Sequence, residues 1–252
     1  MMRIRRRAFL TFSVLVGAMV AVNVPPAAAT TYHCFGHAAT IVGTPRADSI
    51  VGTTGDDVIY PLGGADSVLG DPLDEEGFPS SGYGNDLICG GQGADFITGT
   101  AGDDRIDGGN GNDTLGGKWE GGSDVFVGSA GKDTIGEAVF FLTESGSDEN
   151  VLRGGPGDDH LQRWGLRSEH HLWRHGDDTL TAYAVNVTDE LFGGDGADSI
   201  DSRDFDAFSG ERPSTFTPDT VNRGPNVAGK PDSCTVDTAD TYSGCGSVTI
   251  AP

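Results

Sequence analysis

Three nine-residue units follow one another at residues 90–116, and they read GGQGADFIT, GTAGDDRID and GGNGNDTLG. Each unit has glycine at its start, glycine at position four, aspartate at position six and a large aliphatic residue at position eight. Glycine permits tight turns and positive φ angles that other side chains disfavour. An aspartate on such a turn places a carboxylate beside exposed backbone carbonyls, and the aliphatic residue points inward from a short strand. Each unit therefore combines a turn rich in oxygen atoms with one residue of core.

The same spacing extends along the chain to twelve candidate units. Their aspartates are Asp48, Asp57, Asp66, Asp86, Asp95, Asp104, Asp113, Asp124, Asp133, Asp159, Asp178 and Asp198. A large apolar residue stands two positions after every one of them, although only 36% of the chain is hydrophobic. Two positions before them the residue is glycine in every unit but the first, which has Arg46. A disordered acidic chain would need no apolar residues in register, so the pattern predicts stacked repeats.

Carboxylates and backbone carbonyls are the hard oxygen ligands that Ca²⁺ prefers. The units resemble the hemolysin-type calcium-binding nonapeptide repeat of the RTX family, G-G-x-G-x-D-x-U-x, in which U is apolar. The resemblance covers roughly residues 39–201. It implies an all-β, right-handed parallel β-roll or β-helix solenoid of about eight coils, with several Ca²⁺ ions between stacked turns. It does not imply hemolysis, because the chain has no long apolar pore-forming region.

The resemblance assigns metal binding to the aspartates and turn glycines of the matching units. These predicted ligands are Asp57, Asp86, Asp95, Asp104, Asp113, Asp133, Asp159, Asp178, Asp198, Gly91, Gly93, Gly109 and Gly111. The alternative is that the aspartates only cap turns through hydrogen bonds to the backbone. That alternative is strongest for the first units, where the turns at Thr44-Pro45-Arg46 and Pro61-Leu62 lack the consensus glycines.

Two units make one coil in this family, so turns 18 residues apart are expected to share an edge of the roll. One predicted edge carries Asp48, Asp66, Asp86, Asp104 and Asp124, and the other carries Asp57, Asp95, Asp113 and Asp133. In this scheme residues 71–80, DPLDEEGFPS, replace one turn of the second edge. The predicted calcium pairs are Asp86 with Asp104, Asp95 with Asp113, Asp113 with Asp133, Asp159 with Asp178, and Asp178 with Asp198. Asp48 with Asp66 is a weaker candidate pair.

The chain divides into three predicted parts. Residues 1–29 have four arginines, an apolar run and three alanines at the end, which predicts an export signal of the Sec or twin-arginine type. A membrane anchor is the alternative, but the apolar run is short and is followed by two prolines. Residues 30–202 form the roll, with regular repeats at 39–136 and degenerate repeats at 137–202. Residues 203–252 are expected to be an irregular C-terminal segment and cap.

The acidic balance limits the possible partners. The formal net charge is −22, and cleavage of the signal would leave 12 basic against 38 acidic residues, a charge of −26. Such a charge disfavours nucleic acid and anionic membrane surfaces. The expected partners are calcium ions and a cell-surface or extracellular glycan or protein. We expect an extracellular monomer with no membrane span after cleavage.

Four cysteines in an exported chain indicate disulfides rather than thiol chemistry. We expect Cys34 to pair with Cys89 and Cys234 with Cys245, although the sequence allows three connectivities. The segments TYHCFGHAATIVGT and DSCTVDTADTYSGCG also resemble the ends of secreted actinobacterial calcium-binding repeat proteins.

The sequence contains no H-E-x-x-H, no G-x-S-x-G and no phosphate-binding loop, so we expect a protein without enzyme activity. The alternative is a calcium-dependent β-helix lyase or epimerase that binds acidic polysaccharide through Arg163, Arg167 and Arg174. The pair His171 and His175 is a further, weaker candidate for a transition-metal site. Trp164 and Trp173 are expected to fill or cover a coil, with carbohydrate stacking as the alternative.

Overall fold

The computed structural model describes residues 30–74, 77, 83–116, 122–138, 150–164, 169–172, 175–183, 189–203, 218–222 and 232–251. All regular structure in these ranges is β-strand. The predicted export signal lies outside the described residues.

The strands are short, and most contain two to five residues. The first eleven are β1 (His33–Cys34), β2 (His37–Ala38), β3 (Ile41–Val42), β4 (Ser49–Val51), β5 (Val58–Tyr60), β6 (Ser67–Leu69), β7 (Leu87–Cys89), β8 (Phe96–Thr98), β9 (Arg105–Asn110), β10 (Thr114–Leu115) and β11 (Val125–Ala130). The others are β12 (Thr134–Ala138), β13 (Asn150–Arg153), β14 (His160–Trp164), β15 (Glu169–Leu172), β16 (Thr179–Tyr183), β17 (Glu190–Phe192), β18 (Ser199–Asp201), β19 (Thr220–Asn222), β20 (Ser233–Val236), β21 (Thr241–Ser243) and β22 (Ser247–Ile250).

From β3 onward the strands alternate between two parallel sheets. The odd-numbered strands β3 to β21 form one ten-stranded sheet in sequence order, and the even-numbered strands β4 to β22 form the other. Each coil therefore places one strand in each sheet, and neighbours within a sheet are successive coils. The nonapeptide units thus form the predicted parallel β-roll.

The apolar residue at position eight of each unit fills the space between the two sheets. Ile88 aligns with Ile106, and Ile106 aligns with Phe126. In the other sheet Ile97 aligns with Leu115. All five side chains are buried. Because side chains alternate along a strand, the flanking residues point outward, and each coil adds little more than one core residue per sheet.

The number of coils differs from the expected number of about eight. Ten strands per sheet occur in the described residues, because strands β19 to β22 continue both sheets. They belong to residues 203–252, where the sequence predicts an irregular segment. Val221 aligns with Leu191 and Cys234 aligns with Ile200, so β19 and β20 extend the same core. Strands β19, β20 and β21 keep an aspartate two positions before Val221, Cys234 and Tyr242, but their turns have lost the consensus glycines, which hid them from the repeat pattern.

The insertion at residues 71–80 lengthens one coil and does not replace a turn. Val58 pairs with Leu87 and Ser67 pairs with Phe96, each 29 residues on instead of the usual 18. The inserted residues therefore lie between β6 and β7, and β7 still follows β5 in its sheet. The predicted assignment of aspartates to edges is wrong beyond Asp66 for this reason.

Both expected disulfides are present, and together they contain all four cysteines of the chain. Cys34 lies in the antiparallel hairpin of β1 and β2, and its bond to Cys89 ties that hairpin to the third coil. The ring of Tyr32 stacks on that of Tyr60, with centroids 5.6 Å apart. The other disulfide, Cys234–Cys245, links β20 to the turn before β22.

Candidate metal centre

The aspartates at position six form two columns that run along the two edges of the roll. The first Asp column contains Asp48, Asp66, Asp95, Asp113, Asp133, Asp159, Asp178, Asp198 and Asp232. The second Asp column contains Asp57, Asp86, Asp104, Asp124 and Asn150, and continues with Asp189, Asp219 and Asp240. Sequence separations within a column range from 18 to 34 residues, because loops of different length join the coils.

Within a column, each carboxylate binds the coil before it. The backbone N–H of Asp95 donates to Oδ1 of Asp113 at 2.9 Å, and the N–H of Asp113 donates to Oδ1 of Asp133 at 2.9 Å. In the other column the N–H of Asp86 donates to Oδ1 of Asp104 at 2.8 Å. One oxygen of each carboxylate is thus used to hold successive coils in register.

The glycine at position four allows the turns to stack closely. Gly93 and Gly111 have φ angles of +132° and +149°, in the region that favours glycine. A Cβ on Gly111 would overlap the carbonyl oxygen of Gly93 in the preceding coil. Any other residue would therefore separate the two coils at their aspartate edge.

The second carboxylate oxygen of many of these aspartates is buried without a hydrogen-bond partner in the described part of the chain. These atoms are the Oδ2 atoms of Asp66, Asp86, Asp95, Asp104, Asp113, Asp133, Asp159 and Asp178. A buried charged group without a partner is costly, and native proteins rarely leave one unsatisfied. A row of such atoms indicates a ligand that each of them binds.

The first glycine of each unit leaves space beside this oxygen. A Cβ on Gly108 would lie 2.6 Å from Oδ2 of Asp113 and 3.0 Å from the carbonyl oxygen of Gly128 in the next coil. A Cβ on Gly90 would lie 2.8 Å from Oδ2 of Asp95. The missing side chain therefore creates a small cavity bordered by an anionic oxygen and a backbone carbonyl oxygen.

Removal from water raises the pKa of these carboxyls. It raises the pKa of Asp104 and Asp178 to about 8, of Asp86 and Asp133 to about 7, and of Asp95 to about 6. The backbone hydrogen bond to Oδ1 lowers each pKa, and neighbouring carboxylates of the same column raise it again. The pKa values of Asp66, Asp71, Asp113 and Asp159 are also raised by burial. A cation among these carboxyl groups would favour their ionised form, which burial alone disfavours.

These residues fit Ca²⁺. The cavities offer buried carboxylate oxygens and backbone carbonyls, with no nitrogen or sulfur ligand, and Ca²⁺ accepts six to eight such oxygens in flexible geometry. The sequence model of the RTX calcium-binding nonapeptide repeat matches residues 40–72, 80–115, 120–135, 144–162 and 176–206, just over half of the chain. The chain belongs to this RTX calcium-binding repeat family. RTX nonapeptide repeats bind several calcium ions, so Ca²⁺ is the cofactor. No curated protein matches the chain.

The RTX turns do not depend on clusters of ligating side chains. In the described ranges, no group of three or more His, Cys, Asp or Glu side chains could hold a metal ion. This agrees with sites that each combine one or two carboxylates with backbone carbonyls. The described residues also contain no helix long and apolar enough to cross a membrane.

The structure places the predicted pairs of RTX aspartates in adjacent coils. Asp86 lies next to Asp104 and Asp95 next to Asp113, as expected from their spacing of 18 residues. The other expected neighbours, Asp113 with Asp133, Asp159 with Asp178 and Asp178 with Asp198, are also adjacent. Gly91, Gly93, Gly109 and Gly111 lie in the turns of the first Asp column and all have positive φ.

Asp57 differs from the other predicted ligands. Its Oδ2 accepts hydrogen bonds from the backbone N–H of Thr53 at 2.6 Å and from the Thr53 hydroxyl at 2.9 Å. The capping alternative considered for the first units therefore describes this turn, and we do not include Asp57 among the ligands that we propose.

The sequence analysis missed several members of the two columns. Asn150, Asp189, Asp219, Asp232 and Asp240 continue the ladder where no glycine turn is recognisable. The second half of the roll therefore keeps polar residues on both edges, with glycine turns in the first Asp column. Asn150, Asp189, Asp219 and Asp232 each stand two positions before a buried core residue, and this half of the repeat pattern could have identified them.

The remaining candidates have no described geometry that supports them. The side chains of Arg163, Trp164 and His171 lie outside the described part, as do Arg167, Trp173 and Arg174 entirely. His175 is exposed, and its Nδ1 lies 3.0 Å from Oδ2 of Asp195. The histidine-pair and polysaccharide-enzyme alternatives therefore gain no support.

Proposed function

We propose that this RTX protein is an exported calcium-binding module whose roll folds as Ca²⁺ ions bind between its coils. The calcium-binding β-roll itself follows from the family. We propose two further properties, that the chain is exported and that its folding is coupled to Ca²⁺ binding. Different observations support each of them.

The row of buried Oδ2 atoms is the main observation that supports the coupling of folding to Ca²⁺ binding. In the folded chain, eight such oxygens have no hydrogen-bond partner among the described residues, and they lie on successive coils. Without a cation, folding must bury these oxygens unpaired or protonated, at a cost to stability. With Ca²⁺ bound, the same oxygens become ligands. Each site then adds RT ln(1 + [Ca²⁺]/Kd) to the stability of the folded state.

The negative charge of the chain also makes folding depend on Ca²⁺. With a formal charge of −22, the compact state repels itself, and each bound Ca²⁺ neutralises two charges at the edge where they are closest. The narrow core supports this reading, because one apolar residue per strand provides limited hydrophobic stabilisation. Calcium would therefore decide whether the roll is folded.

Export is supported by the two disulfides, which persist in oxidising compartments and are rare in the cytosol. Calcium is scarce inside cells and abundant outside them. We therefore place the folded protein outside the cell and residues 1–29 in a cleaved signal of the Sec or twin-arginine type. Outside the cell, the folded roll would present its two sheet surfaces to a glycan or protein partner.

Far-ultraviolet circular dichroism tests the coupling. The chain is purified in EDTA and titrated with Ca²⁺ and, as the control, with Mg²⁺. We expect a transition from coil to β-structure with Ca²⁺ and a much weaker response to Mg²⁺, which prefers a smaller, rigid octahedral site. A spectrum that is already rich in β-structure in EDTA and does not respond to Ca²⁺ would contradict the proposal.

A further inference from the structure

Where position two of a unit is described, four residues before the aspartate, its residue adopts one of two backbone conformations. The hydrogen bonding of the aspartate side chain follows this choice. Two turns, which we name the closed turns, contain Thr44 with Asp48 and Thr53 with Asp57. The turns that we name the open turns have a residue with positive φ at position two, and they are the turns of Asp66, Asp95, Asp104, Asp113, Asp133 and Asp159.

In the closed turns, the threonine occupies the carboxylate oxygen that is unpartnered elsewhere. The N–H of Thr44 donates to Oδ2 of Asp48 at 2.6 Å, and its hydroxyl donates to the same atom at 2.9 Å. Thr53 makes the same two bonds to Oδ2 of Asp57, at 2.6 and 2.9 Å. Neither threonine has positive φ. These turns are satisfied by the protein alone.

In the open turns, the left-handed residue does not donate its N–H to Oδ2, which has no hydrogen-bond partner in the described chain. Gly91 and Gly109 have φ near +98°, and the Oδ2 atoms of Asp95 and Asp113 are unpartnered. The same holds for Ser129, with φ of +71°, four residues before Asp133.

Thr100 separates the effect of the residue type from that of the backbone. It is threonine, as in the closed turns, but its φ is +86°. Its hydroxyl donates to Oδ2 of Asp71 at 2.9 Å, and Oδ2 of Asp104 is left without a hydrogen-bond partner. The left-handed conformation, and not the absence of a hydroxyl, therefore accompanies an open carboxylate.

The turn before Asp86 is outside this comparison, because the insertion lies between Asp71, which follows the first glycine, and Asp86. The N–H of Asp71 donates to the hydroxyl of Thr100 at 3.2 Å. Gly82, four residues before Asp86, lies outside the described residues.

Both closed turns keep the same kinds of oxygen atom beside their first glycine. A Cβ on Gly52 would overlap the carbonyl oxygen of Gly70 and lie 3.0 Å from Oδ2 of Asp57, and one on Gly43 would lie 2.5 Å from the carbonyl oxygen of Pro61 and 2.9 Å from Oδ2 of Asp48. A carboxylate oxygen and a backbone carbonyl oxygen of the next coil therefore border the closed turns as they border the open ones. What differs is the threonine N–H and hydroxyl already bound to the carboxylate oxygen.

We propose that the backbone conformation at position two determines which RTX turns of this chain bind Ca²⁺. Thr44 and Thr53 replace the cation in the first two turns with internal hydrogen bonds. The turns of Asp104 and Asp133 bind Ca²⁺ although Thr100 and Ser129 replace the usual second glycine. The first coil, held by these caps, and the hairpin tied to the third coil by a disulfide give the roll a calcium-independent start. This inference rests on the calcium binding of the proposed function.

The test counts calcium ions per chain after equilibrium dialysis at saturating Ca²⁺, with atomic emission as the readout. The variants are Thr53→Gly and Thr44→Gly, which remove the hydroxyl bond to Oδ2 and permit positive φ at the residue that carries the N–H. Thr53→Ser keeps the hydroxyl and N–H and is the matched control. Thr100→Gly is the second control, because its turn is already open. Circular dichroism in Ca²⁺ checks that each variant is folded.

We expect Thr53→Gly and Thr44→Gly each to bind one more ion than the wild-type chain, and the two controls to bind the wild-type number. At limiting Ca²⁺ the two glycine variants should be less stable than wild type, and saturating Ca²⁺ should restore them. If the wild-type chain binds calcium but neither glycine variant gains an ion, the inference is overturned. A gain in Thr53→Ser or Thr100→Gly would also overturn it. A wild-type chain that binds no calcium would instead refute the proposed function.

Discussion

Replacement of Gly111 by alanine should destabilise the roll far more than the same replacement at other glycines with positive φ. Gly111 has a φ of +149°, and a Cβ there would overlap the carbonyl oxygen of Gly93 in the preceding coil. Gly36 also has positive φ, +86°, but a Cβ there would have nothing within 4 Å. The pair separates the cost of the backbone conformation from the cost of the overlap.

The magnitudes differ because only one site forces two coils apart. At Gly36 the left-handed conformation alone costs alanine about 1–2 kcal/mol. At Gly111 the same cost is joined by overpacking against rigid backbone, about 1–3 kcal/mol. Moving the coils also weakens nearby bonds, including Gly111 N–H to the Ala130 carbonyl at 2.8 Å, and each lost bond costs about 1 kcal/mol. We expect a total of about 4 kcal/mol or more.

Urea unfolding in saturating Ca²⁺, followed by circular dichroism, measures both variants against wild type. Gly55→Ala, where φ is not positive and a Cβ would meet nothing within 4 Å, is the baseline. We expect little change for Gly55→Ala, a loss of about 1–2 kcal/mol for Gly36→Ala and at least twice that for Gly111→Ala. Equal losses at positions 36 and 111 would show that the coils do not stack as closely as described.

Three further predictions test the site and the ends of the roll. Asp113→Ala should remove at least one Ca²⁺ per chain in equilibrium dialysis, and an unchanged count would exclude Asp113 as a ligand. Replacing both Cys234 and Cys245 by serine should lower the free energy of unfolding by about 2–3 kcal/mol, the value for closing a short loop, and an unchanged urea midpoint would contradict this. Without calcium, a carboxyl whose pKa is raised in the folded state, such as Asp104 at about 8, stabilises the fold when protonated and loses this effect as the pH rises towards 8. The chain in EDTA should therefore show more β-structure at pH 5 than at pH 8, and the opposite order would refute this prediction.

The sequence was sufficient to predict the fold because its signal is local and repeated. An apolar residue such as Ile97 or Ile106, two positions after an aspartate, identifies one strand, and the repetition of the pattern predicts the stack. The chain length between such residues is less informative. The 29 residues from Asp66 to Asp95 could either replace a turn or extend a coil, and only the strand register shows that they extend it.

The sequence predicts less about the metal site than about the fold, for a related reason. The sequence indicates where a carboxylate stands but not which of its oxygens is already bonded. Thr53 and Thr100 are the same residue at the same position of a unit, yet only Thr53 caps its aspartate, because their φ angles differ. Asp219 and Asp240 belong to the column although their turns have lost every glycine, since the ladder needs only the aspartate itself.

A crystal structure of the chain grown in Ca²⁺, with anomalous scattering to identify the ions, would test the central claim most directly. We predict calcium peaks beside the Oδ2 atoms of Asp95, Asp104, Asp113 and Asp133, each bound also by backbone carbonyl oxygens. We predict no peak beside Asp48 or Asp57, where threonine holds that oxygen. Oδ2 atoms of the open turns that bind only water or protein groups, with no calcium between the coils, would contradict the account.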